Sequence, residues 1–270
     1  MNGGDWLNYS LIVLMSLVCI FPLIYVFSVS FTDPDAYRAF EFSLWPAKWS
    51  LAAYKYILST SSFMDSLKAT AFVTVIGTAL NLFVTYTFAY GLTRKALPGR
   101  GAFLGVVFFT LIFNAGIVPN YLMMKWLGLL NTLWSLILFG LTNSWSIIVV
   151  KSFLQTLPVE LEEAAIIDGC NDLGVFFRII VPLIQPAMFT AAIFTFYWTW
   201  EDFMGPLIYL SNPRQYTLSL ALRGFADPGT GTDWGAIFAM ASLSLVPVFT
   251  IFVFFQKYLV RGISTTGLTG

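Results

Sequence analysis

Apolar residues in this chain come in long unbroken blocks, not in the alternating or 3.6-residue rhythm of an element that faces water on one side. Six stretches contain no Asp, Glu, Lys or Arg: 6–32, 69–93, 101–124, 126–150, 179–200 and 234–256, which run to 27, 25, 24, 25, 22 and 23 residues. At about 1.5 Å of rise per residue, some 20 apolar residues in a helix cross a ~30 Å hydrocarbon core. Each stretch is long enough. The pattern therefore predicts an all-α membrane protein with six transmembrane helices that together take up 146 of 270 positions. No positive charge precedes the first block in MNGGDW, and it exceeds the ~7–15-residue core of a cleaved leader, so it reads as a retained span.

Between the blocks lie a polar segment from Asp33 to about Phe63, the basic turn RKALPGR at 94–100 and a tight connection near 125–131. A mixed segment over 151–178, a loop over 211–233 and a short tail after Lys257 complete the chain. No solenoid repeat or low-complexity tract appears, and no segment is long enough for a soluble domain, so residues 1–270 are expected to form one membrane domain. Pro22, Gly77, Asn81, Gly116, Pro119 and Asn143 fall in or at the ends of the blocks. Kinks, close helix contacts and interhelical hydrogen bonds account for residues of these types in membranes. Trp6, Tyr54, Trp126 and Trp234 stand near block ends, as an aromatic interface belt requires.

Composition sharpens this picture. Hydrophobic residues make up 58% and charged residues 10%, against about 25% charged in an ordinary soluble domain. Histidine is absent, which excludes Ser-His or Cys-His catalysis and His-based metal sites within the chain. No lysine follows a glycine, so a phosphate-cradling loop ending in Gly-Lys is excluded too. Cys19 and Cys170 are too few and too far apart for a disulfide framework. With zero net charge and no basic run, nucleic acid is not an expected partner.

Orientation rests on the basic residues. With both termini inside, Arg94, Lys95, Arg100, Lys151, Arg178, Lys257 and Arg261 face the cytoplasm. Arg38, Lys48, Lys55, Lys68, Lys125, Arg214 and Arg223 then face out, an even split. Charges close to span ends weigh most, and the Arg94–Lys95–Arg100 cluster and the Lys257/Arg261 pair favour termini inside.

The most informative stretch is LPVELEEAAIIDGCNDLGVFFRIIVPLIQP, residues 157–186. Pro158 suits a first helical position, and Glu160, Glu162 and Glu163 crowd the first turn, where the helix dipole favours negative charge. Leu161, Ala164, Ala165 and Asp168 recur at i, i+3, i+4 and i+7, one face of a short helix. Gly169 ends that helix as a C-cap glycine does, and Asn171 can cap a second one carrying Leu173, Phe176, Phe177 and Ile180. Pro182 and Pro186 then stop that helix and redirect the chain into the fifth span. An elbow of this kind is too polar to span and too short to be a domain. It is either an ordinary interfacial helix or a docking knob for a partner protein.

The spacing Glu163-Ala164-Ala165, three residues, Gly169, nine residues, Ile179, one residue, Val181-Pro182 resembles the EAA loop of ABC-importer permeases. Val181 stands where the pattern has leucine and Cys170 where alanine is common. TWEDFMGPLIYL, 199–210, resembles the W-N-D-F-x-x-PLIYL stretch of carbohydrate-importer permeases, with Glu201 in the Asn place. NAGIVPNYLMMKWLGLLNT, 114–132, resembles a stretch of the subgroup that imports complex oligosaccharides or polysaccharides, with Ala115 at one glycine position. QKYLVRGISTTGLTG, 256–270, is similar to the C-termini of the maltose-type second permease subunit, which reach toward the ATPase dimer.

The resemblance implies a single type-1 ABC-transporter membrane domain in a bacterial cytoplasmic membrane. Six spans, both termini in the cytoplasm and a cytoplasmic coupling-helix loop between the fourth and fifth spans belong to that plan. It implies a homologous second permease subunit, two ATPase subunits that bind ATP and Mg, an extracytoplasmic solute-binding protein and surrounding lipid as partners. The chain itself would hold no cofactor and no metal and would not be an enzyme. Glu163, Ala164, Ala165, Asp168 and Gly169 are the expected ATPase-docking residues. Glu163 would make a polar contact, Ala164 and Ala165 would keep the knob slim, and Gly169 would allow the turn.

Glu201 and Asp202 follow 22 charge-free residues and precede 11 more, and acids at such a depth face a cavity or a partner. With Trp198 and Trp200 they are candidates to line a sugar pathway, the aromatic faces meeting sugar C–H surfaces. The alternative places the acids at a backbone break before Pro206. Proton coupling through the same acids would make the chain a secondary transporter, a rival that gives no reason for the elbow's spacing.

Overall fold

The computed structural model describes residues 3–33, 36, 44–46, 48–225 and 233–266, with the backbone alone at 3–5 and 257–266. Arg38, the side chains of Lys257 and Arg261, and the end of the 256–270 tail thus lie outside the described residues. Helix accounts for nearly all regular structure among the described residues. Among the described residues, three helices are each long and apolar enough to cross a membrane unaided: Trp6–Ser30, Ser61–Thr93 and Trp234–Gln256. They form parts of α1 (Gly3–Ser30), α3 (Ser61–Thr93) and α14 (Trp234–Thr266), while α2 (Ala52–Ser59) is a short connector.

The other apolar blocks are broken. Residues 101–124 divide into α4 (Arg100–Ile112) and α5 (Ile117–Trp126). At the break Gly116 adopts φ +86, and its N–H donates to Asn114 Oδ1 at 2.8 Å, so a local turn replaces the helical ladder. Block 126–150 becomes α6 (Leu133–Phe139) and α7 (Ser144–Leu154), bent by 45°. Asn143 caps α7 by accepting from the Ser146 N–H at 3.1 Å.

Ahead of the fifth block come α8 (Glu160–Ile167), α9 (Asp172–Val175), a π-helical turn (Phe176–Ile180) and α10 (Val181–Leu183). Then α11 (Gln185–Glu201) departs at 78°. Pro182 has no N–H for the Arg178 carbonyl and its ring crowds it. The preceding turn widens accordingly, with the Val181 N–H donating to the Phe176 carbonyl five residues back. The short helices α12 (Met204–Tyr209) and α13 (Leu218–Gly224) follow.

Two compact units emerge, residues 1–67 with 216–248 and residues 68–215 with 249–270. In the first, Ser30 and Tyr54 share a 2.8 Å hydroxyl hydrogen bond, and Tyr25 meets Phe238 edge-on. In the second, the rest of α3 buries polar residues among apolar ones such as Val73, Ala89 and Leu92. Thr70, Thr74, Asn81 and Thr85 are buried while Phe72, Val75 and Phe83 are exposed. Polar side chains packed between helices suit surroundings as apolar as the helices' own outer face. Asn81 donates to the Gly140 carbonyl at 2.9 Å and accepts from Thr195 at 3.4 Å. It thereby satisfies a carbonyl freed by the α6–α7 break, a requirement for irregular backbone away from water.

Candidate functional site

The elbow at 157–186 is built from two caps. The helix α8 ends in a full Schellman motif: Gly169 N–H donates to the Ile166 carbonyl at 3.0 Å and Cys170 N–H to the Ala165 carbonyl at 2.9 Å. Gly169 takes φ +85, the left-handed conformation that glycine adopts without penalty. Two residues later Asn171 Oδ1 accepts from the Gly174 N–H at 2.8 Å and starts α9. The N-terminal end differs from the sequence expectation. Pro158 lies ahead of the helix, which begins at Glu160; Val159 has helical angles and the Pro158 carbonyl accepts from Leu161, a tight turn that leads into it.

The burial pattern sorts the elbow into a plug and a bare face. Ala165, Val175, Phe176 and Ile180 join one apolar core with Tyr86, Ala89, Leu92, Val107, Ile147, Val150, Leu154 and Ile184. Leu161, Ala164 and Asp168, expected on the same face as Ala165, are exposed instead. On α8 itself Ala165 is the one fully buried residue. Glu163 and Gly169 are also exposed. Around them Val159, Ile166, Ile167, Leu173 and Phe177 stand bare, Ile167 at 84%. Asp168 to Asn171, Leu173, Gly174, Phe177 and Arg178 line a recess of ≈ 560 Å³ at the corner. A cluster of bare apolar side chains with charged and polar groups at its edge is the surface character of a protein-docking site.

The second candidate group is divided. Trp198 is half-exposed and meets Trp145 at 5.7 Å and Phe194 at 5.7 Å. Glu201 is exposed at the end of α11 and hydrogen-bonds Tyr197. Phe194, Tyr197, Trp198 and Glu201 thus share one outward stripe at i, i+3, i+4 and i+7. Trp200 is buried at 8% and stacks on Phe196 at 5.5 Å. Asp202 accepts from the Gly205 N–H at 3.1 Å and takes up the break before Pro206. A side chain at Gly205 would put Cβ 2.3 Å from Asp202 Oδ2, so this cap requires glycine.

Residues 100–265 match the family described as binding-protein-dependent transport system inner membrane component. The chain belongs to that family. It is 36% identical over 96% of its length to the polygalacturonan/rhamnogalacturonan transport system permease protein YtcP of Bacillus subtilis (strain 168), covering 95% of that relative. Protein LplC of the same organism is 35% identical over 94% of this chain and 90% of its own. Among solved structures, a chain of a bacterial ABC transporter involved in the import of the acidic polysaccharide alginate superposes with a TM-score of 0.87. It shares 26% identity, over 96% of this chain and 98% of that one. The chain is therefore the membrane permease subunit of an ABC importer.

Three groups in this permease escape a reading by motif. Arg94, just beyond α3, forms an ion pair with Glu162 and a hydrogen bond to Tyr90. The Tyr90–Arg94 spacing and the three clustered glutamates were the available signals, but nothing in the sequence joins them across 68 residues. Asn131, at φ 59, accepts from the Ser211 and Asn212 N–H groups at 3.0 and 2.9 Å. It buckles the loop after α5 to the loop after α12, and the Leu-Asn-Thr resemblance marks the position without the contact. Asn81 was legible as an in-span amide but not as the partner of Gly140.

Proposed function

We propose that this permease is half of the translocation pathway of an ATP-driven bacterial carbohydrate importer, handling oligosaccharide or polysaccharide, with residues 157–181 seated on a partner ATPase. The observation that carries this is the elbow itself. It has a rigid double cap, Ala165, Val175, Phe176 and Ile180 plugged into the bundle, and apolar side chains left bare around a notch of mixed lining. The relatives named for polygalacturonan/rhamnogalacturonan transport and the alginate importer support the substrate class.

In this reading the chain crosses the bacterial cytoplasmic membrane six times with both termini inside. The crossings are α1, α3, α4 with α5, α6 with α7, α11 and α14. The elbow is cytoplasmic, two ATPase subunits bind ATP and Mg, a second permease completes the path, and a solute-binding protein delivers cargo. Closure of the ATPase pair displaces the elbow. Because α9, the π turn and α10 run directly into α11, the displacement tilts that span and exchanges inward-facing for outward-facing packing. ATP does this by binding one arrangement more tightly than the other. Glu163 faces the ATPase, Ala164 and Ala165 keep the contact slim, Asp168 rims the notch and Gly169 sets the turn. Trp198 and Glu201, on the outward stripe of α11, are the pathway candidates, with Trp200 and Asp202 holding that stripe in place from behind.

The test is co-purification of the permease pair with its ATPase from the native membrane, followed by ATP-dependent uptake of an oligogalacturonide into proteoliposomes. Uptake driven by a proton gradient without ATP would refute the proposal.

A further inference from the structure

Of the three glutamates in the first turn of α8, two are exposed and one is turned inward. The Glu162 side chain keeps only 16% of its accessible surface. A carboxylate withdrawn that far from water needs a charged partner, or its burial is costly. That partner comes from a different helix. Arg94, one residue past α3, pairs with Glu162 and donates a second hydrogen bond to the Tyr90 hydroxyl. Its guanidinium carbon lies 4.4 Å from the centre of the Tyr90 ring. Tyr90 holds the arginine through both its hydroxyl and its ring face, fixing a side chain that would otherwise lose substantial rotamer freedom to pair. The same ring lies 4.9 Å from that of Phe176, in the π turn. The end of α3 therefore grips both limbs of the elbow, α8 through the ion pair and the π turn through the aromatic contact.

We propose that Arg94 and Glu162 form a strut that makes α3 move with the elbow, so that ATPase closure drives two spans instead of the covalently linked α11 alone. This rests on the elbow being the ATPase seat. The two residues are positioning residues: neither lies on the bare face, and their effect reaches the pathway through α3. Without the strut, α8 would slip against α3 on closure, because the contacts that remain, the Tyr90 ring on Phe176 and the apolar packing around Ala165, are not directional.

The experiment places spin labels at Lys95→Cys and Glu160→Cys, both exposed, with Cys19 and Cys170 replaced by alanine in the full importer complex. The distance between them is read by pulsed electron resonance, without nucleotide and after trapping with Mg-ATP and vanadate. The strut predicts one distance in both states for the otherwise unaltered pair. For Glu162→Gln it predicts the same resting distance and a shift on trapping of up to about one helical turn, roughly 5 Å. The swapped pair Arg94→Glu with Glu162→Arg restores the single distance. A shift in the unaltered pair, or no shift in Glu162→Gln, overturns the strut. Equal broadening of Glu162→Gln in both states also overturns it, since that is the mark of a merely structural contact. Failure of the unaltered complex to bind an ATPase or to trap at all would instead remove the elbow assignment on which the strut depends.

Discussion

Gly169 offers a perturbation whose cost can be separated into its parts. Its φ of +85 is open to glycine and strained for residues with a Cβ. A Cβ built there meets no atom within 4 Å, so Gly169→Ala introduces no clash and its whole cost is backbone, about 1–2 kcal/mol. That corresponds to roughly a 5- to 30-fold loss in the population of the turned elbow relative to its alternatives. The β-branched Gly169→Val costs more at such a φ. Gly169→Asn costs less, because asparagine enters the left-handed region and replaces glycine at this cap position.

Docking weakens only as far as the turned form stops being dominant, so these factors are upper limits. The expected order of affinity is Gly, Asn, Ala, Val. The assay titrates purified ATPase onto the permease pair in nanodiscs, with membrane content as the control for folding. Equal loss for Asn and Val would show that volume matters and φ does not. Wild-type affinity for Val would refute the turn's role altogether.

Other consequences separate residues that look alike in sequence. Trp200→Ala removes a buried ring and should lower unfolding stability in detergent by about 3–5 kcal/mol, whereas half-exposed Trp198→Ala should leave the melting midpoint near wild type and reduce glycan uptake. Asn81→Val strands the Gly140 carbonyl at the α6–α7 break and should cost about 1–3 kcal/mol, read from the same melting curve. Asn131→Gly keeps the positive φ accessible but deletes two hydrogen bonds, and limited proteolysis should then cut residues 211–215 faster than in the wild type.

The parts of this permease set by local chemistry were readable in its sequence. The charge-free blocks predicted helices, and α1, α3 and α14 obey them because no turn-forming pair interrupts their apolar runs. The elbow was readable to the residue at Gly169 and Asn171, since a C-cap glycine and an N-cap asparagine act within a few positions. Block 101–124 was not readable as two helices. Its break depends on Asn114 and Gly116 forming a turn, while a count of charges registers only an unbroken apolar run. The face assigned to α8 was too broad, because i, i+4 periodicity cannot tell how much of a short helix its neighbours cover. Arg94–Glu162 and Asn131–Ser211 depend on distant parts of the chain meeting, and no local pattern encodes that.

The claim on which the importer account turns is that the bare face of the elbow is covered by an ATPase. Ile167 is its most exposed apolar residue at 84%, so a single Ile167→Cys, with Cys19 and Cys170 replaced by alanine, reports on that face by its rate of maleimide alkylation. The account predicts fast modification of the isolated permease pair and strong protection once the ATPase is bound. Equal rates with and without the ATPase would contradict it.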